Sequence, residues 1–165
     1  MNRSQMMEWF KENESGFGMN ERQVTALMGA HSLGRAHKRN SGYRFSWTPT
    51  KEHVFDNEFY QLIRNFAHLY TNENQTDSGE DLKYQWVLRL RGGQTSMLLN
   101  TDMELAYDID VDNAGVGTQC LIPFDAITQD IDNICNEAST KQWVDLYAQN
   151  ETLFLQDFKE AYEIM

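Results

Sequence analysis

Val24-Thr25-Ala26-Leu27-Met28-Gly29-Ala30-His31-Ser32-Leu33-Gly34-Arg35-Ala36-His37 is the stretch on which the fold turns. Val24, Leu27, Met28 and His31 recur at i, i+3, i+4 and i+7, which puts all four on the buried face of one helix. The helix opens cleanly: Asn20 is a good N-cap, Glu21 meets the helix dipole in the first turn, and Gln23 completes a capping box. Gly34 supplies its stop.

Outward from this helix the chain reads as mainly α. Met6, Met7, Trp9 and Phe10 suggest a short amphipathic helix closed by a Gly16-Phe17-Gly18 turn. Asp56 to Tyr70 reads as another, with Phe59, Leu62, Ile63, Phe66 and Tyr70 inward. Tyr84 to Leu90 alternates as a strand, and Gly92-Gly93 turns it into a small β-hairpin with Ser96 to Asn100. A last helix or helix pair runs from Thr140 to Ile164, carrying Trp143, Leu146, Tyr147, Leu153, Phe154, Phe158 and Tyr162. The stretches from Lys38 to Trp47, Thr71 to Asp81 and Asp108 to Gln129 read as loop.

The 165 residues suffice for a single domain, 1–165, and not for two ordinary ones. Fourteen Lys+Arg against twenty-five Asp+Glu leave a net charge of −11, which argues against nucleic acid or an anionic membrane surface as partner. No apolar run reaches the roughly 20 residues of a membrane span, and Met1 to Phe10 lacks the order of a signal peptide. Four Asn-x-Ser/Thr acceptors, beginning at Asn2, Asn13, Asn74 and Asn150, lean toward a secreted or extracytoplasmic protein. Cys120 and Cys135 are compatible with one disulfide or with two buried thiols.

A lone histidine on an apolar helix face is ordinarily a core residue satisfied by a hydrogen bond. Around His31, however, Gly29, Ala30 and Ser32 are all small, and such neighbours let a large flat group approach the helix axis. Haem needs that clearance around an outward-pointing imidazole. Zinc needs three or four convergent ligands, and His37, six positions on, stands at neither i+3 nor i+4.

The quoted stretch resembles the proximal-histidine signature of the plant, fungal and bacterial haem peroxidases. Ser41-Gly42-Tyr43, Trp47-Thr48-Pro49 and Phe55-Asp56-Asn57 are similar to the class I branch, the ascorbate and cytochrome c peroxidases. Leu98-Leu99-Asn100-Thr101-Asp102 resembles the segment that supplies that branch's proximal aspartate, and Trp143 to Ala148 with Phe154 to Tyr162 its closing helices. The likeness runs from about Phe10 to the C-terminus, with residues 71–80 and 110–136 diverging.

The resemblance implies the proximal half of an all-helical fold, haem b as cofactor, and hydrogen peroxide reduction with an electron donor. It implies that His31 is the axial iron ligand, that Asp102 takes the hydrogen bond of the far ring nitrogen, and that Trp47 lies beside His31, either holding an oxidised radical or shaping the pocket. His37 takes the place that meets a haem propionate. Ser32, Thr48, Thr50 and Asp56 take the place of a proximal K+ or Ca2+ site, with one residue more between Trp47 and Asp56 than the family's pattern. The arginine that binds ascorbate falls on Asn40, with Arg39 just before it, so the donor is left open. The distal arginine and histidine that cleave peroxide belong to a helix preceding this half, and no residue ahead of His31 reads as that helix. The expectation is therefore a missing N-terminal half.

Two other readings compete. Asp108-Ile109-Asp110-Val111-Asp112-Asn113 begins like a calcium-binding EF-hand loop, but Asn113 stands where glycine is needed and Gln119 where glutamate is needed. The other is a peroxidase-like protein without catalysis, kept for structure or for binding a partner.

Overall fold

The computed structural model describes residues 3–11, 16–75, 83–109, 120, 122 and 134–165, with the side chains of residues 3 and 4 left aside. The elements in chain order are α1 (Arg3–Lys11), α2 (Glu21–Met28), β1 (Arg35–Ala36), α3 (Lys38–Ser41), β2 (Phe45–Ser46), α4 (Glu58–Phe66), β3 (Thr71–Asn74), β4 (Tyr84–Arg89), β5 (Thr95–Leu98), α5 (Asn100–Met103), α6 (Lys141–Gln149) and α7 (Glu151–Ile164). Helices α4 and α6 pack together, as do α2 and α7, and a small sheet lies beside them.

The capping box at Asn20 and Gln23 forms as the spacing predicts. Helix α2 is shorter than expected, because the chain tightens into a 3-10 turn over Gly29–Ser32. His31 therefore sits on that turn, and Gly34 follows with a φ of 78°. The inner face of α2 is Val24, Thr25 and Ala26. Leu27 and Met28, expected fully inside, are only half-buried. The helix expected over Asp56 to Tyr70 is Glu58–Phe66 followed by a 3-10 turn at Ala67–Leu69, and Phe66 is 38% exposed. At the C-terminus Asn150 closes α6 and caps α7, its Oδ1 accepting the Leu153 amide at 3.0 Å.

The expected hairpin is present, but it belongs to a five-stranded sheet ordered β1-β2-β5-β4-β3. Strands β4 and β5 pair antiparallel with Trp86 opposite Leu98, and β2 meets β5 in parallel at Ser46 and Ser96. The added strands escape a pattern reading for two reasons. β1 and β2 are two residues each, too short to alternate, and β3, Thr-Asn-Glu-Asn, is polar on both faces as an edge strand can be.

Tyr60, Tyr147, Phe59 and Phe154 are the largest fully buried side chains and hold α2, α4, α6 and α7 together. The Tyr60 hydroxyl donates to the Thr25 carbonyl at 2.6 Å, and Tyr147 donates to Asp157 at 2.7 Å, where Arg22 forms a two-pronged pair with the same carboxylate. Cys120 and Cys135 are joined as a disulfide. The acidic stretch from Asp110 to Gln119 lies outside the described residues. Among those described, no helix is long and apolar enough to cross a membrane.

Candidate haem-binding site

The 3-10 turn at Gly29–Ser32 holds His31 at the end of α2, with 27% of its side chain exposed. Its Nδ1 lies 2.8 Å from Asp102 Oδ1. Asp102 is fully buried in the first turn of α5, and its other oxygen accepts the Trp47 indole N–H at 2.8 Å and the Leu99 amide at 2.7 Å. An ionised carboxylate only accepts, so in the neutral ring His31 carries its proton on Nδ1 and keeps the Nε2 lone pair for a ligand. Burial disfavours the charged imidazole, but the charge of Asp102 and its hydrogen bond together outweigh that and raise the His31 pKa.

Trp47 follows β2 directly and lies flat against the histidine, ring centres 4.1 Å apart at 18°. Phe59 of α4 meets the imidazole edge to face, ring centres 5.8 Å apart. Trp47 is steadied from behind, since its carbonyl accepts the Ser96 hydroxyl at 2.6 Å and Tyr70 Oη lies 2.6 Å from that same hydroxyl. Neither Phe59 nor the Ser96–Tyr70 pair was expected at this site. The only available signal was their apolar or hydroxyl character on elements facing the hairpin.

The donor set fits haem better than a bare metal ion. One imidazole nitrogen is free to ligate, and among the described residues no three His, Cys, Asp or Glu side chains converge to hold a metal. Ala30 and Leu33, beside the histidine, are exposed, while Leu27 and Met28 are half-buried. The small neighbours divide their roles in a way the spacing did not reveal. Gly29 and Ser32 are buried, and only Ala30 is open to an approaching ring. His37 is exposed at the start of α3, with Arg39 and Asn40 exposed on that helix.

The oxygen set expected for a proximal cation is only partly assembled. Ser32 Oγ donates to the Asp56 carbonyl at 2.6 Å and Thr48 Oγ1 to the Ser32 carbonyl at 2.7 Å, so these three meet. Thr50 instead donates to Glu58 Oε1 at 2.5 Å. Lys51, unremarked in the sequence, places its ammonium 2.8 Å from Asp56 Oδ2.

The profile of the peroxidase family matches residues 2–114. A cytochrome c peroxidase named as mitochondrial, from Yarrowia lipolytica, is 30% identical over 150 residues, covering 90% of this chain and 32% of the relative. A heme-binding peroxidase from Candida albicans is 31% identical over 145 residues, 88% of this chain and 37% of its own length. A mitochondrial cytochrome c peroxidase from Cryptococcus neoformans is 28% identical over 145 residues, 88% and 28% respectively. The chain thus spans about a third of the length of the curated relatives it matches.

These names overturn the lean toward a secreted or extracytoplasmic location, since several of the relatives are named mitochondrial. The acceptor tripeptides were a poor guide because asparagine serves other ends. Asn150 is the N-cap of α7, and Asn2 and Asn13 lie outside the described residues.

Proposed function

The chain belongs to the peroxidase family, and on that footing we propose that it is the proximal, haem-binding half of a class I-like haem peroxidase that reduces hydrogen peroxide. The observation that carries the proposal is the bonded set of His31, Asp102 and Trp47, drawn from three separated segments onto one buried carboxylate. Bound haem would supply the iron at which peroxide is reduced.

The chain's own residues do the rest. His31 would hold the iron through Nε2. Asp102 holds the proton on Nδ1 and draws it away, which gives the ring partial anionic character and would strengthen its donation to the iron and favour Fe(III). Trp47 lies flat against the imidazole and is, among the described residues, the oxidisable ring stacked on it, 4.1 Å away. His37 is the proposed propionate partner. For the electron donor, a net charge of −11 favours a basic protein, and relatives are named for cytochrome c. With Asn40 at the expected arginine, we take cytochrome c rather than ascorbate as the donor to try first.

The test is a haem titration of the parent chain and of His31→Ala, followed by the Soret band. The parent should bind one haem with a histidine-ligated ferric spectrum, and the variant should lose that spectrum. An identical ferric spectrum in both refutes the axial assignment.

A second reading, haem binding without catalysis by these 165 residues alone, is favoured by one observation: no histidine precedes His31. Cleaving peroxide calls for an acid–base group and a positive charge on the opposite haem face, each worth about 10²–10⁴-fold. The haem-loaded chain should turn peroxide over little faster than free haem, and rapid turnover with cytochrome c as donor would exclude this reading.

A further inference from the structure

The family resemblance leads one to expect a K+ or Ca2+ ion behind the histidine, and the oxygens present do not fit one. A cation needs lone pairs converging on one point. Here the Ser32 hydroxyl donates to the Gly29 and Asp56 carbonyls and the Thr48 hydroxyl to the Ser32 carbonyl, so the Asp56 and Ser32 carbonyls that would face an ion already accept protons from neighbouring would-be ligands. The Thr48 carbonyl already accepts the Lys51 amide at 3.0 Å. Thr50 has turned to Glu58. The Asp56 carboxylate, buried to 7% exposure, receives the Glu58 amide on one oxygen and the Lys51 ammonium on the other.

We propose that Lys51 is the tethered cation of this site: its ammonium neutralises Asp56 and locks the Thr48–Asp56 segment against Ser32, in place of a metal ion. Ser32 and Thr48 immediately follow His31 and Trp47 in the chain, so the lock holds the backbone from which both rings project. Lys51 is therefore a positioning residue.

The expectation of an ion rests on the family reading, but the test uses no haem, so it stands or falls separately from haem binding. The haem-free chain, Lys51→Met and Lys51→Arg are melted in buffer whose only cation is tetramethylammonium, then with added KCl or CaCl2. The parent should melt at one temperature in all three. Lys51→Met should melt lower by about 3 °C or more in the metal-free buffer. It should regain part of that loss with K+ or Ca2+, because the unpaired carboxylate now recruits an ion. Lys51→Arg should behave as the parent. A parent stabilised by K+ or Ca2+, or a Lys51→Met chain that melts with the parent, overturns the proposal.

Discussion

Gly29 lies so close to Phe154 that a β-carbon at this position would stand 2.6 Å from the ring's Cζ, and 2.7 Å from the hydroxyl of Tyr60. Its φ of −62° is open to any residue, so the requirement for glycine here is one of space alone. The clearance serves the packing of α7 under the histidine turn rather than the approach of a ligand. Neither neighbour yields easily, because Phe154 is fully buried and Tyr60 is bonded to the Thr25 and Ala26 carbonyls.

Gly29→Ala should accordingly destabilise the fold by about 1–2 kcal/mol, overpacking of about 1–3 kcal/mol offset in part by alanine's better helix propensity. Urea unfolding midpoints measure this. Adding Phe154→Leu should cost less in the Gly29→Ala background than in the parent, as expected for side chains competing for one volume. Strict additivity would mean the clash is relieved elsewhere.

Asp102→Asn should shift the iron potential with haem retained. The amide removes the charge that strengthens His31, and losing such a partner is typically worth about 10–100-fold. Falling on the ferric state, which the charge favours, that factor corresponds for a one-electron couple to an Fe(III)/Fe(II) potential higher by about 60–120 mV. Stability should fall too, by about 1–3 kcal/mol, since three N–H donors converge on the two carboxylate oxygens and an amide can accept on only one atom. Spectroelectrochemical titration decides the matter, and an unmoved potential would rule Asp102 out as the histidine's partner.

Stability should decline steeply in alkali. Burial raises the phenol pKa of Tyr60, Tyr70 and Tyr147, with neighbouring charges adding to it at Tyr60 and Asp157 adding its hydrogen bond at Tyr147. A folded pKa above the unfolded value of about 10 contributes stability that is complete below pH 10 and is lost as pH rises through the folded pKa. Once the unfolded tyrosines ionise, each of the three should take away about 1.4 kcal/mol per pH unit. Unfolding midpoints should thus hold steady to about pH 9.5 and drop above it, with these phenols ionising only as the chain unfolds. Complete tyrosinate absorbance in the still-folded protein would contradict this.

How much of this molecule was legible beforehand depends on the range of the interactions. The capping box at Asn20 and Gln23 and the Gly92-Gly93 hairpin both depend on partners within a few residues, and local spacing determines them. The candidate site was legible as a likeness, because His31, Trp47 and Asp102 stand where a familiar pattern puts them. Their chemistry was not, since Asp102 lies 71 residues from His31 and 55 from Trp47, and a carboxylate in a turn has many possible partners until the fold closes around it.

Tertiary structure alone decided between readings that the residues left equal. It turned Gly29 and Ser32 inward and Ala30 outward, although all three are small. It brought the Lys51 ammonium to the carboxylate expected to hold a metal, and paired two-residue strands that carry no periodic signal. The reason is common to these cases. Local propensity acts within about one turn of chain, whereas the partner a polar group meets, and the side from which a small residue is crowded, are set by segments that become neighbours only when the core forms.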